Sequence, residues 1–142
     1  MEKGYFMLRV TNINRATKNI VASASYRSDE ALYSERTDEK IKFRNHIVKP
    51  ESMILTPQHA PEWTKDRERL WNEVDKVEKN NAKTKNPRLA KEVLLSLPND
   101  FDREVQTELT KDFIKSEFVD QGMVADISIH RDDMNNPHAH VL

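Results

Sequence analysis

The sequence contains no cysteine. Disulfides and thiolate metal sites are therefore excluded, and the composition suits a reducing cytoplasm. Long apolar runs are missing too. Nothing approaches the length needed to span a membrane, and the first residues, Met1 to Tyr5, lack the charged-then-apolar layout of a signal peptide. Neither sign of charge dominates: 23 Lys and Arg face 24 Asp and Glu, for a formal net charge of −1. No overall basic bias marks a nucleic-acid binder, so any contact to DNA must come from a local patch.

What is present is enough for one domain with a real core: 142 residues, in which Val, Ile, Leu, Phe and Trp recur throughout. The 33% charged residues and a mean hydropathy of −0.82 are polar for a globular protein, but the recurring apolar residues argue against global disorder. The chain ends at Leu142, two residues past its last histidine. A strand carrying metal ligands is rarely a natural end, so the expectation is a fragment with more protein downstream.

Pattern along the chain predicts a mixed architecture. Tyr5 to Ile13 alternates loosely and reads as a strand. Asn19 to Glu35 reads as a helix, with Asn19 as its cap and Ala22, Ala24 and Ala31 favouring it. Glu35 to Val48 has the form of a hairpin turning at Thr37 to Lys40, and Glu51 to Leu55 is a short strand. Trp63, Leu70, Trp71, Val74 and Val77 recur near helical spacing over Glu62 to Asn80, and a polar loop follows to Pro87. Arg88 to Pro98 is ambiguous: its Leu, Ala, Lys and Glu favour helix, while the short apolar run before proline permits a buried strand. Asp102 to Gln121 is a helix with Val105, Leu109, Phe113, Ile114 and Phe118 on one stripe, stopped by Gly122. Met123 to His130 and Pro137 to Leu142 are the final strands. Elements in this order predict an α+β protein: a central antiparallel sheet with helices packed on it.

The sharpest chemistry lies in those final strands. Three of the five histidines are His130, His138 and His140. Residues two apart on a strand share a face, so His138 and His140 present their rings to one point. If the two strands pair as a hairpin with His130 opposite His138, all three imidazoles meet. Imidazole is the commonest protein ligand for divalent metals, and this trio predicts a metal site. Asp132 and Asp133 serve the turn. Trp63 and Trp71 read as core or interface, and His46 and His59 as surface residues.

Three stretches together resemble the MobA/MobL family of plasmid mobilisation proteins, within the wider group of histidine-hydrophobe-histidine nickases. They are Ile20 to Ser28 (IVASASYRS), His59 to Trp63 with Arg67, Leu70, Trp71 and Asn72, and Gly122 to Asp126 followed by Asn136 to His140. The resemblance implies that residues 1–142 form a relaxase domain, incomplete at its carboxyl end. The implied activity nicks one DNA strand at a plasmid origin of transfer through a covalent 5′-phosphotyrosine. Tyr26 would be the nucleophile, with Tyr33 the competitor, and His130, His138 and His140 the metal ligands. The metal would be Mg²⁺ or Mn²⁺, although imidazole chemistry also suits Ni²⁺, Co²⁺ or Zn²⁺. Lys91 to Pro98 matches a family strand. Glu92 and Asp126 are then candidate partners that orient the imidazoles or join them as ligands. Arg27, directly after the tyrosine, and Lys40, Lys42 and Arg44, with Arg36, on the hairpin are candidate phosphate contacts. The implied partners are single-stranded or extruded origin DNA and accessory mobilisation proteins, in a bacterial cytoplasm. Asp29 and Leu94 depart from the family pattern, standing where glycine and an acidic residue are common. The rivals are a rolling-circle replication-initiator nickase and a truncated DNA- or metal-binding module without activity.

Overall fold

A computed structural model describes residues 8–43, 48–81, 88–133 and 136–142. Arg44 and His46 lie outside the described residues. Five strands form one antiparallel sheet in the order β1-β5-β7-β6-β4: β1 is Leu8–Asn14, β4 Glu51–Leu55, β5 Arg88–Ser96, β6 Ala125–His130 and β7 His138–Val141. A separate two-stranded ribbon pairs β2, Leu32–Ser34, with β3, Glu39–Ile41. The helices are α1 (Ile20–Ser28), α2 (Arg67–Asn81) and α3 (Arg103–Glu117). The expected α+β class and antiparallel sheet are observed. Among the described residues no helix is long and apolar enough to cross a membrane.

Strand β6 carries the logic of the sheet. All six of its residues are buried, yet apolar Ala125, Ile127 and Ile129 alternate with polar Asp126, Ser128 and His130. The apolar set faces α3 and joins Val93, Leu95, Ala139, Val141 and Ile114 in one core cluster. Burying each Val, Leu or Ile of this cluster stabilises the fold by about 1.5–3 kcal/mol. The polar set faces α1 and α2. A second apolar cluster, including Ile20, Val21, Ala24, Leu70 and Trp71, seats those two helices beside it.

Several elements differ from the sequence expectation. The first helix ends at Ser28, not near Glu35, because Asp29 turns into the left-handed region (φ 61°) and its N–H closes on the Ser25 carbonyl. Tyr33 therefore lies on a strand, and the hairpin turns earlier than expected. Asn19 caps α1 as expected: its Oδ1 accepts from the N–H groups of Val21 and Ala22 at 3.0 and 3.3 Å. The predicted helix from Glu62 is divided into a 3₁₀ turn, Glu62–Lys65, and α2, with an extended Asp66 between. Arg88–Ser96 is a strand, paired on both sides by β1 and β7. On α3 the inward residues are Gln106, Thr107, Thr110 and Ile114, whereas Val105 is 43% exposed. The polar members are held by hydrogen bonds, such as Gln106 Nε2 to the Pro98 carbonyl at 2.8 Å.

Candidate metal centre and nucleophile helix

The hairpin of β6 and β7 sets His130 opposite His138 and Ser128 opposite His140. This is the register in which all three rings share a face. Their centroids lie 5.3 Å (His130–His138), 4.5 Å (His130–His140) and 5.0 Å (His138–His140) apart. One nitrogen from each ring falls within 4.8 Å of the other two.

The hydrogen bonds around the rings fix their tautomers, because each acceptor is an oxygen that cannot donate. His130 donates from Nε2 to the Arg27 carbonyl at 2.8 Å. His138 donates from Nδ1 to the Asn136 carbonyl at 2.8 Å, and His140 from Nδ1 to Glu92 Oε2 at 3.0 Å. In the neutral rings, the lone pairs then belong to Nδ1 of His130 and to Nε2 of His138 and His140. This is the arrangement a metal needs: neutral imidazoles, each oriented by an oxygen on its other nitrogen. Burial pushes the His140 imidazole below its usual pKa, with the Glu92 bond opposing it, which favours the neutral ring. The donor set fits a divalent cation.

Glu92 sits between the cluster and α1. The same Oε2 accepts from Arg27 Nε at 2.6 Å. The bonds from His140 and Arg27 outweigh burial and hold its carboxyl down at about 2. Glu92 is thus a charged partner of His140. Arg27, expected to meet DNA phosphate, is committed inward: its Nε holds Glu92 and its Nη1 donates to the Ser23 carbonyl at 2.9 Å. Asp126 does not touch the rings through its carboxylate. Its oxygens accept from Arg67 Nε and Nη2 at 2.8–3.0 Å and from Trp71 Nε1 at 2.8 Å. The expectation that it orients an imidazole is corrected: four residues back along β6 from His130, it faces α2.

Tyr26 is on α1, 41% exposed, with its ring edge-on to Phe43 at 5.4 Å. It is next to Arg27, whose carbonyl receives His130, so the helix is pinned to the cluster at the residue after the phenol. Tyr26 and Glu92 line one groove. Tyr33, in contrast, donates its phenol to Asp38, and that bond raises its pKa above the usual phenol value. Lys40 and Lys42 are exposed on and just after β3. Trp71 is core, His59 is exposed, and Asp132 accepts from the Val48 N–H at 2.8 Å. Sequence reasoning missed the backbone carbonyls of Arg27 and Asn136. Only Asn136 had a local signal, its place two residues before His138.

A three-imidazole hairpin beneath a tyrosine-bearing helix, on an antiparallel sheet, defines a relaxase-like α+β protein. Comparison with known proteins places it more closely. The MobA/MobL family model matches residues 18–142, and the chain belongs to that family. It is 31% identical over 135 residues to a probable conjugal transfer protein TraA of Sinorhizobium fredii, and 27% over 135 residues to the conjugal transfer protein TraA of Agrobacterium fabrum. Each match covers 88% of this chain and 12% of the relative, so the chain spans about 12% of the length of these curated relatives. A solved structure titled "Molecular Basis of Vancomycin Resistance Transfer in Staphylococcus aureus" superposes with a TM-score of 0.86 at 33% identity, over 96% of this chain and 68% of that one.

Proposed function

We propose that this chain is the nicking domain of a conjugative relaxase, cutting one strand of single-stranded or extruded DNA at an origin of transfer. Tyr26 is the nucleophile. Its phenolic oxygen forms a bond to phosphorus as the bond from phosphorus to the 3′ oxygen breaks. The phenol gives up its proton, the departing 3′ oxygen takes one up, and the 5′ phosphate stays on Tyr26. The phosphotyrosine conserves the bond for later rejoining. Nδ1 of His130 and Nε2 of His138 and His140 hold a divalent cation, Mg²⁺ or Mn²⁺ in this reading. When bound, that ion withdraws charge from the phosphate oxygens and stabilises the transition state. Glu92 keeps the His140 tautomer, and Arg27 holds Glu92 while its carbonyl fixes His130. These contacts set α1, and with it Tyr26, against the cluster.

The observation that carries this function is the pairing of His130 with His138 beneath the helix of Tyr26. The names of the relatives, conjugal transfer proteins, support the substrate class. The test is incubation with end-labelled origin oligonucleotide and Mn²⁺. A protein–DNA adduct is expected from the native chain and none from Tyr26→Phe, with Tyr33→Phe retaining it. An adduct that survives Tyr26→Phe refutes the assignment.

A further inference from the structure

With Arg27 bound to Glu92, one of the cations expected to meet the DNA backbone is turned inward. Two others stand close by. A groove of about 620 Å³ runs between β1 and α1, lined by Thr11, Asn12, Lys18, Ser23, Tyr26 and Glu92, among others. Lys18, in the loop before α1, marks one end. Tyr26 lies on α1 six residues after its first residue, Ile20, about 9 Å along the helix at 1.5 Å per residue.

Arg9, on β1, lies outside the lining of this groove. It stands opposite Leu94, and Leu94 stands opposite His140. Residues directly opposite each other in antiparallel strands share a face, so Arg9 is on the histidine face, two strand spacings or about 10 Å from His140. Arg9 and Lys18 are both exposed, and among the described residues neither side chain forms an ion pair. The groove's carboxylate, Glu92, is neutralised by Arg27. A chain of net charge −1 therefore presents a locally positive channel beside its phenol. The Thr11, Asn12 and Ser23 side chains add hydroxyl and amide donors of the kind that meet phosphate oxygens. Lys40, on the separate ribbon, and Lys42, just after it, do not line this groove.

We propose that Lys18 holds a backbone phosphate of single-stranded DNA lying along the β1–α1 groove past Tyr26, and that Arg9, on the histidine face beyond Leu94, holds another. This placement rests on reading Tyr26 as the nucleophile. The scissile phosphate would sit at the imidazole cluster, and Arg9, one strand beyond Leu94, would take a neighbouring phosphate.

The test is fluorescence anisotropy with fluorescein-labelled oligothymidylate across a salt series, in metal-free buffer. Arg9→Ala and Lys18→Ala each weaken binding about fivefold at low salt. Each lowers the slope of log K against log salt by about 0.7, and the double variant by about 1.4. Arg9→Lys keeps most of the slope. Lys111→Ala, on α3 across the sheet, changes neither affinity nor slope. In the adduct assay, both alanine variants raise KM while kcat is maintained. Native binding and slope in both alanine variants would overturn the placement, even with the Tyr26 adduct intact. Loss of binding in these variants, with no Tyr26 adduct formed by the native chain, would keep the groove and remove the nicking function. Absence of oligothymidylate binding by the native chain would overturn the placement outright.

Discussion

The two faces of strand β6 are equally dry and differ in everything else. Toward α3, Ile127 and Ile129 are fully buried against other apolar side chains. Toward α1 and α2, Asp126, Ser128 and His130 are 2–5% exposed. Asp126 and His130 are held there by hydrogen bonds to residues far away in sequence. The first face is non-directional: any well-shaped apolar partner will serve. The second is directional. Each polar group needs its own acceptor or donor, and that is why it can hold three imidazoles in fixed tautomers where the first cannot.

The largest effects should separate these two kinds of burial. Asp126→Ala leaves Arg67 buried with Glu30, at 2.8 Å, as its one remaining carboxylate partner among the described residues. We expect a loss of about 3–5 kcal/mol in urea unfolding. Ile127→Ala removes apolar volume and should cost about 2–5 kcal/mol. The rescues should differ. Asp126→Leu combined with Arg67→Met recovers part of the loss, because removing both charges removes the desolvation penalty while the buried Trp71 Nε1 still lacks its acceptor. No polar substitution near Ile127 does the same. Equal rescue at both sites would erase the distinction.

A smaller effect should appear with pH. The Glu92 carboxyl is held at about 2, below the ordinary carboxylate value of 4.5. Its folded-state pKa is depressed, so its contribution is complete above pH 4.5 and is lost as the pH falls towards 2. The contribution is on the order of 2–3 kcal/mol. Urea titrations of metal-free protein over that window should show a steeper decline in the native chain than in Glu92→Gln. Parallel declines would mean that Glu92 is not held by His140 and Arg27. At neutral pH, Glu92→Gln should weaken divalent-metal affinity about 10- to 100-fold by calorimetry, through loss of the carboxylate on His140.

How much of this was legible in the sequence follows from the same contrast. The histidine register could be read because its information is local: a two-residue spacing, a polar connection and an alternating strand. The α+β class and the Asn19 cap were legible for the same reason. The end of α1 was not, because the alanines favour helix and only the left-handed turn at Asp29 stops it. Strand β5 was ambiguous by composition, since its Leu, Ala, Lys and Glu prefer helix and the pairing with β1 and β7 overrides them. The roles of Arg27 and Asp126 could not be read at all. Glu92 is 65 residues from Arg27, and Arg67 is 59 from Asp126, so their pairing is a product of the fold. Arg27 looked like a DNA contact because it follows the tyrosine, and adjacency in sequence says nothing of which way a helical side chain turns.

The central claim is that three imidazoles of fixed tautomer hold one cation beneath α1. Anomalous diffraction from crystals of this chain soaked in Mn²⁺ tests it most directly. The account predicts one strong peak bonded to Nδ1 of His130 and to Nε2 of His138 and His140, with the Glu92 carboxylate on the far nitrogen of His140. A peak bonded through the opposite nitrogens, or a cation seated elsewhere with these three rings unligated, would contradict it.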